Sequence, residues 1–486
     1  MGKFILVGLL AFAVALSGTA YAEVQNVKVG GDIDMKVIDH HNYDLKRKQN
    51  NTPGGGAFGT AVISNDDDSN FFLSTTHVTV DADLTDNVST HVRLLNQRVW
   101  DAAASATDQI NIDAAYVVLK EFLYSPLTVI AGRQDLNYGT GFIVGAGLLG
   151  DPNGAFSSNA TGSQTQIGQE YSAYNTYDAV RVILDFAPVT VEGLMARINE
   201  TGVASDNQDL YGLLVNYKLD RWSAEIEPYW FIKDNQSVTA GSGASALADD
   251  TGITWRVNQV STVGLRGAAS PIENLRIDIE GAHQSGHLET AGGVPLFRRS
   301  RNAWGGHVDA KYTWAKAPWT PTTGIGWVYY SGEQGINTAN PGANNQQLDR
   351  LSSWDPMFRG SFTTYIQDFL GGSNATNLYT TFDANDTAAN TNRHLLYGDL
   401  SVKPLQDVTL WGRYTHAWFD KAPVQGRSTH AGDEIDAKAI YAYTEDVELS
   451  LGGGAFLPGK YYKKASPNTR GADLAWTLVG GAKVKF

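Results

Sequence analysis

The chain has 486 residues, of which 42% are hydrophobic and 18% charged, and its formal net charge is −14. It contains no cysteine, which excludes a disulfide framework, thiolate metal sites and a cysteine nucleophile. The acidic balance argues against a nucleic-acid partner, because binding to phosphates needs a basic surface.

Residues 1–22 have the features of a secretory signal peptide. Lys3 supplies the positive charge, residues 4–16 form an apolar stretch, and an Ala-Tyr-Ala cleavage site ends at Ala22. The apolar stretch is too short to span a membrane, and no stop-transfer charges follow it. We therefore expect cleavage after Ala22, which leaves residues 23–486 as one exported domain.

The body of the chain alternates between apolar and polar residues over stretches of about ten residues or more. The alternation is clearest at 78–84, 180–186, 275–280 and 447–451. Because side chains alternate between the two faces of a strand, each stretch predicts a strand with one apolar and one polar face. No long apolar run follows the signal peptide, so a bundle of membrane helices is excluded.

Two architectures give many strands one apolar face: a soluble sandwich buries that face, whereas an outer-membrane barrel turns it towards lipid. Long strands, aromatic residues at strand ends, and tight turns that alternate with long polar loops favour the barrel. The long loops lie around 41–69, 138–176, 236–257 and 332–390. We count about 18 strands and predict an all-β fold, a transmembrane antiparallel β-barrel with short periplasmic turns and long extracellular loops.

The last predicted strand indicates where the barrel is placed. Alternate residues from Trp476 to Phe486 share one apolar face, and Phe486 ends the sequence. A terminal aromatic that closes an alternating strand resembles the signal by which bacterial outer-membrane proteins are recognised for assembly. We expect a Gram-negative outer-membrane location, with lipid and lipopolysaccharide around the barrel and the assembly machinery as a partner through Phe486.

Three pairs of motifs resemble the alginate export family of outer-membrane barrels. In chain order they are Gly-Arg-Gln at 132–134 with Tyr-Gly at 138–139, Trp-Asp-Pro-Met-Phe at 354–358 with Asp-Leu-Ser-Val-Lys-Pro at 399–404, and Gly-Asp-Glu-Ile-Asp at 432–436 with Gly-Gly-Ala-Phe-Leu-Pro-Gly at 453–459. The resemblance implies a monomeric pore of eighteen strands, in agreement with the strand count. It also implies passive diffusion or export of an anionic polysaccharide such as alginate, or of small anions.

A pore for a polyanion is expected to carry fixed cations along its path. Taking the polar face of each strand as the lumen, and adding the arginine of the Gly-Arg-Gln motif, we predict these basic pore-lining residues: Arg93, Arg133, Arg181, Arg266, Arg276, Arg393, Arg413 and Lys438. The same rule places many carboxylates inside, so mutual charge pairing that braces the wall is an equally good interpretation of any single residue. Arg133 shares the register of the apolar Leu127 and Val129. Either a bulge resets the strand there or the side chain faces outward near the rim.

Two long loops are predicted to set the constriction by folding over or into the pore. The 138–176 loop is rich in Gly, Ser, Asn and Gln, with apolar residues 142–144 as an anchor. The 332–390 loop holds a helical pattern, in which Asp355 caps, Pro356 fits the first turn, and the apolar stripe is Phe358, Phe362, Tyr365, Ile366 and Phe369.

Other chemistry has little support in the sequence. His283 and His287 would lie about 13 Å apart on a strand, too far to share one ion. The acidic residues at 66–68 and 383–386 fit a solvated loop better than a calcium site. We therefore predict no cofactor, no metal and no enzymatic activity. The alternatives are a porin of different selectivity, a barrel that sheathes a periplasmic redox or secretion partner and, with less support, an outer-membrane enzyme.

Overall fold

Long antiparallel strands, each hydrogen-bonded to its neighbours in the sequence, form the wall of a closed barrel in this computed structural model. Twenty strands make up the sheet, two of them only two residues long, and the other eighteen form the wall. Numbered in chain order, the wall strands are β1 (Asn26–His41), β2 (Asp68–Thr85), β3 (Val88–Val99), β4 (Asn111–Leu119), β5 (Leu127–Asp135), β6 (Thr176–Phe186), β7 (Val189–Asn199), β8 (Gln208–Leu219), β9 (Ala224–Gln236), β10 (Thr254–Ala269), β11 (Leu275–Thr290), β12 (Arg298–Thr313), β13 (Thr322–Tyr330), β14 (Arg393–Leu405), β15 (Val408–Trp418), β16 (His430–Ala442), β17 (Val447–Pro458) and β18 (Ala475–Lys485). β1 pairs with both β2 and β18, so the sheet closes on itself.

The remaining elements are short. The two-residue strands are Leu247–Ala248, beside β10, and Arg350–Leu351, beside β12. A 3₁₀ turn covers Arg221–Ser223, and a single helical turn covers Lys460–Lys463. Among the residues that the structure describes, no helix is both long and apolar enough to cross a membrane.

The structure describes most of the wall and part of the connections. The described residues are 26–42, 68–100, 110–145, 171, 173, 175–199, 208–236, 247–248, 254–290, 298–333, 350–361, 363–368, 391–422, 428–463 and 473–486. The expected signal peptide lies outside these residues, as do the acidic loop residues 66–67 and 383–386.

The two faces of the wall differ in polarity, as the alternating sequence predicts. On β10, Val263 and Leu265 are 56% and 54% exposed, whereas Thr262 and Arg266 are 0% and 7% exposed. The exposed apolar parity faces outward and the buried parity faces the interior. An apolar outer surface around a polar interior is the arrangement that a lipid bilayer requires of a barrel.

The connections alternate between the two rims. At one rim, tight turns join neighbouring strands at 86–87, 187–188, 270–274 and 406–407, whereas the longer connections leave the opposite rim. This confirms the predicted all-β antiparallel barrel of 18 strands with short turns on one side and long loops on the other.

The predicted helix at 355–369 is wrong for the part of that range that the structure describes. Residues 355–361 and 363–368 have extended, turn and bend conformations; Phe362 and Phe369 lie outside the described residues. The carboxylate of Asp355 accepts a bond from the backbone nitrogen of Met357 at 2.9 Å, and Met357 has a φ of 53°, which a right-handed helix does not allow. The apolar residues of the segment are buried by neighbouring chain rather than aligned along one helical face.

Candidate functional site: two chain segments inside the barrel

Two segments of the long connections fold into the barrel and pair with each other. We call residues 136–145 the β5–β6 segment, and residues 350–361 with 363–368 the β13–β14 segment. The backbone nitrogen of Phe358 donates to the carbonyl of Ile143 at 3.0 Å, and that of Gly145 donates to the carbonyl of Phe358 at 3.0 Å. These bonds supply hydrogen-bond partners to an irregular backbone that is not paired in a sheet. The two segments therefore form one unit.

Aromatic packing fills the space between this unit and the wall. Phe142 and Trp354 are almost fully buried, and the ring of Phe142 stacks on that of Tyr330 with centroids 5.4 Å apart and planes 9° apart. Phe358 lies edge-on to Tyr177 of β6 at 6.0 Å. The unit therefore contacts the inner face of the wall on both the β6 and the β13 sides.

Asp355 anchors the β13–β14 segment to four consecutive strands. Its carboxylate forms an ion pair with Lys233 of β9 and accepts a bond from Asn258 of β10 at 3.0 Å. Gln284 of β11 bonds to its backbone nitrogen and carbonyl at 2.7 and 2.8 Å, and Arg301 of β12 lies 3.7 Å from the carboxylate. Burial raises the pKa of Asp355, but Lys233 and Arg301 outweigh it, so that this pKa lies below its usual range.

The other end of the β13–β14 segment is held by charged side chains as well. Glu434 of β16 accepts bonds from the backbone nitrogens of Ile366 and Gln367 at 2.7 and 2.9 Å. Arg413 of β15 donates to the carbonyl of Thr363 at 2.9 Å. The segment is thus fixed to the inner face at two places, on β9–β12 and on β15–β16.

The β5–β6 segment meets the wall at a cavity of about 200 Å³. Tyr138 donates to Glu192 at 2.5 Å, and the guanidinium of Arg181 bonds to the same carboxylate at 2.6 and 2.9 Å. Burial, followed by the nearby charge of Glu192, raises the pKa of Tyr138, so its hydroxyl stays protonated. Asn216, Glu227 and Arg266 also line this cavity, so that both hydrogen-bond donors and acceptors face it.

Comparison with known proteins adds the family. The alginate export family matches residues 58–475, which is most of the sequence. The chain belongs to the alginate export family. This confirms the predicted family. The chain is therefore an outer-membrane channel.

Solved structures with the same fold come from Pseudomonas aeruginosa. OccK3 (OpdO) has a TM-score of 0.51 at 10% identity, and the match covers 96% of this chain and 97% of that chain. OccK11 (OpdR) has a TM-score of 0.50 at 9% identity, with 95% and 96% covered, and the outer membrane protein opdK has 0.50 at 8%, with 95% and 100% covered. At such low identity these likenesses show the fold alone. A search of curated proteins finds no match.

Seven of the eight predicted basic residues lie on the inner face of the barrel wall. They are Arg93, Arg181, Arg266, Arg276, Arg393, Arg413 and Lys438. Their part in lining the path of a solute stays a prediction, but their immediate partners are visible.

Most of these side chains are paired with carboxylates. Arg266 bonds to Glu227 at 2.5 Å and also pairs with Asp278. Bonds of 2.8–2.9 Å also join the following pairs: Arg93 to Asp135, Arg276 to Glu225, and Arg413 to Asp399. Charge pairing across the wall, the alternative interpretation of these residues, is therefore realised at these positions.

Two of the seven have other surroundings. The guanidinium of Arg393 lies 5.1 Å from the ring of Phe419. Lys438 has no carboxylate within 4.0 Å among the described residues, and both its Cγ and the hydroxyl of Tyr365 lie beside Gly452 of β17.

Arg133 differs from the other seven because its side chain lies on the outer face. It bonds to Asp178 at 2.7 and 2.8 Å, and these two residues are opposite each other in the β5–β6 register. The neighbouring Gln134 and Tyr177 are buried on the inner face. The β5–β6 register is regular from Leu127 to Asp135, so the outward alternative describes Arg133 and the predicted pore-lining position does not.

The wall residues that hold Asp355 were not anticipated from the sequence. Lys233, Asn258, Gln284 and Arg301 each occupy the polar parity of a strand near the long-loop rim. The parity rule used for the other basic residues also selects Lys233 and Arg301 if it is extended to the strand ends. Their common partner, Asp355, however, lies more than 50 residues along the chain from the nearest of them, Arg301.

Proposed function

We propose that this chain is a passive outer-membrane channel for an anionic polysaccharide of the alginate type, or for small anions, and that it is not an enzyme. The observation that carries the proposal is the unit formed by the β5–β6 and β13–β14 segments within the barrel. This unit narrows the interior at a point where charged side chains surround it. The description of the family, alginate export, supports the class of solute.

The lining fits a solute that carries both carboxylates and hydroxyls. Arg181, Arg266 and Arg413 present guanidinium groups beside wall carboxylates, so fixed donors and acceptors alternate along the interior. A uronate chain needs cations for its carboxylates and acceptors for its hydroxyls, and such a lining supplies both. We include the seven inner-face basic residues in the lining on this ground; among them, Lys438 has no described carboxylate within 4.0 Å.

The same occupied interior disfavours the barrel as a sheath. A periplasmic partner threaded through the barrel would have to displace a unit that is held to β9–β12 by Asp355 and to β16 by Glu434. Export after cleavage at Ala22, function as a monomer in lipid and lipopolysaccharide, and assembly through Phe486 are further parts of the proposal. In support of the last, Phe486 exchanges two backbone bonds with Gly31, at 2.9 and 3.0 Å, in the closed barrel.

Reversal potentials in planar bilayers under a KCl gradient test the proposal. We expect a preference for chloride over potassium and a reduction of current when oligouronate is added. Cation preference without block by oligouronate would support a porin of different selectivity. Absence of conductance together with cleavage of oligouronate would support an enzyme and contradict the proposal.

A further inference from the structure

Three side chains with metal-binding atoms meet on the outer face of the barrel, near the long-loop rim. His416 lies on β15, and His430 and Asp433 lie on β16. His416 Nδ1 is 2.7 Å from one carboxylate oxygen of Asp433, and His430 Nε2 is 3.5 Å from the other. All ten histidines lie within the described residues. Among those residues, His416, His430 and Asp433 form the one group of three or more His, Asp or Glu side chains whose ligand atoms lie within 4.8 Å of one another.

A β-bulge brings the third side chain to the same face. His416 and Asp433 are directly opposite in the β15–β16 register, whereas His430 and Asp433 are three residues apart and would point to opposite faces of a regular strand. The register shifts between Ala417 and Trp418, so that Trp418 faces His430 and one extra residue stands in β16. Bulges often redirect a side chain in this manner beside functional sites.

The spacing of the three groups suits a small tetrahedral ion. Two ligands at about 2.0–2.1 Å from Zn²⁺ in tetrahedral geometry lie about 3.3–3.4 Å apart. The observed separations of 2.7 and 3.5 Å from the carboxylate lie on either side of this value. Two imidazoles and one carboxylate also leave a fourth position for water, which is the ligand set of open zinc sites.

The ring of His430 is the group least explained by pairing alone. Its Nε2 is buried and makes no hydrogen bond to the described residues. The ring of His430 stacks on that of His416, with centroids 5.2 Å apart. The carboxylate of Asp433 also accepts a bond from Tyr414 at 2.6 Å. Nδ1 of His430 lies 3.4 Å from the backbone nitrogen of Lys460, and metal binding through Nε2 would give up this long contact.

We propose that His416, His430 and Asp433 form a binding site for a divalent transition-metal ion of the Zn²⁺ type on the outer rim. Imidazole nitrogens favour zinc, copper and nickel, whereas magnesium and calcium favour oxygen ligands alone. A bound ion joins the end of β15 to the start of β16. It thereby fixes both ends of the 419–429 connection.

Calorimetric titration of the full-length, EDTA-treated and untagged protein in detergent with ZnCl₂ tests the site. We expect one Zn²⁺ per chain, no competition from Mg²⁺, and a visible absorption band of tetrahedral geometry when Co²⁺ replaces Zn²⁺. His430→Ala and Asp433→Asn each remove one ligand, so the affinity should fall by roughly tenfold or more. His283→Ala is the matched control, since His283 lies on the outer face of β11 and bonds to Asn302.

The heat-dependent shift of the barrel in gel electrophoresis verifies that each variant is folded. Absence of stoichiometric Zn²⁺ binding to the wild-type protein would overturn the proposal. So would an affinity that is unchanged in both ligand variants, or one that falls equally in His283→Ala. The titration does not involve the pore. The metal-site proposal can therefore fail while the channel proposal stands, and the channel proposal can fail while the metal-site proposal stands.

Discussion

Asp355 connects the β13–β14 segment to four neighbouring strands of the wall. It is fully buried with two cations, Lys233 and Arg301, and with amide groups of two further strands. A buried ion pair contributes little net stability, because desolvation offsets the attraction, but loss of one partner is costly, at about 3–5 kcal/mol. The arrangement therefore acts chiefly to specify where the β13–β14 segment lies.

The lowered pKa of Asp355 predicts a response to acid. A carboxylate whose pKa is lower in the folded protein than in the unfolded chain contributes stability above its ordinary pKa of about 4, and this contribution is lost as the pH falls through the lowered value. We expect single-channel conductance to increase between pH 5 and pH 2 as the segment is released. Asp355→Asn should have the higher conductance already at pH 7 and should lose this pH dependence.

Asp178→Asn is the control for Asp355→Asn. It makes the same chemical change at an exposed pair with Arg133, where an ion pair contributes at most about 1 kcal/mol. Its conductance should follow the wild type at every pH. If Asp355→Asn behaved in the same manner as Asp178→Asn, the anchoring role of Asp355 would be refuted.

Lys438 is the inner-face cation whose removal should change selectivity most directly. It has no described carboxylate within 4.0 Å, so that Lys438→Met removes a charge without leaving an unpaired carboxylate beside it. We expect the reversal potential to shift towards cations and the block by oligouronate to weaken. Arg133→Gln removes a basic side chain from the outer face and should leave both quantities unchanged, and an equal shift in the two variants would contradict a lumenal role for Lys438.

At the scale of the elements, the β5–β6 and β13–β14 segments depend on each other. Each supplies backbone partners to the other, through Ile143, Gly145 and Phe358, and each has its own attachment to the wall. Buried backbone groups without partners are costly, so the loss of one segment should also loosen the other.

Deletion of residues 140–170 tests this dependence. We expect a higher single-channel conductance than in the wild type, and easier proteolysis within 350–368 in the same variant. Deletion of residues 46–62, from a different long connection, is the control for loop shortening. Unchanged conductance after the first deletion would show that these segments do not set the size of the pore.

How much could be predicted from the sequence depends on the range of the interactions. Alternation is a local property of two-residue period, so the strands, their number and the inner positions of Arg181, Arg266 and Arg413 could be predicted. The face of Arg133 could not be settled, because parity alone does not show whether a bulge intervenes. The bulge that gathers His416, His430 and Asp433 left no such local signal either.

The sequence predicted that the two long loops fold over or into the pore, but the way in which they pair with each other escaped prediction. The bond between Phe358 and Ile143 joins parts of the chain that are remote in sequence and have no regular period. Apolar residues at helical spacing, such as Phe358 and Ile366, also occur in an irregular segment that is buried on several sides, so the spacing predicted a helix where none forms. The length of the loops and the apolar anchor at residues 142–144 were enough to predict that they fold over or into the pore, but not which residues they contact there.

At the scale of the whole molecule, one apolar parity of the wall strands forms an outer surface, and a separate set of apolar residues, such as Phe142 and Trp354, packs inside the barrel. Val263 and Leu265 are typical of the outer surface, since they are exposed in the middle of a strand whose other face is polar and buried. Lipid, not packing within the protein, is the environment that stabilises them. This explains how a chain with 42% hydrophobic residues can lack a long hydrophobic run.

A charge on this surface should cost stability in proportion to its depth. Val263→Arg places a cation near the middle of β10 and should reduce the free energy of unfolding by about 2–4 kcal/mol, whereas Gln259→Arg, on the same face nearer the long-loop rim, should cost about 0–1 kcal/mol. Urea unfolding in lipid vesicles measures both. Equal costs at the two positions would mean that this face does not cross the bilayer as described.

The pairing of β1 with β18 has a consequence for assembly. Residues near the start and the end of the sequence, such as Asp32 and Lys485, must meet before the wall is complete. Until then both strands would present unpaired backbone groups to the hydrocarbon, which a bilayer does not tolerate. Closure is the wall contact of greatest sequence separation, so we expect it to come last. A chain that has lost β18 should therefore fail to insert as a unit instead of forming a barrel with one strand fewer.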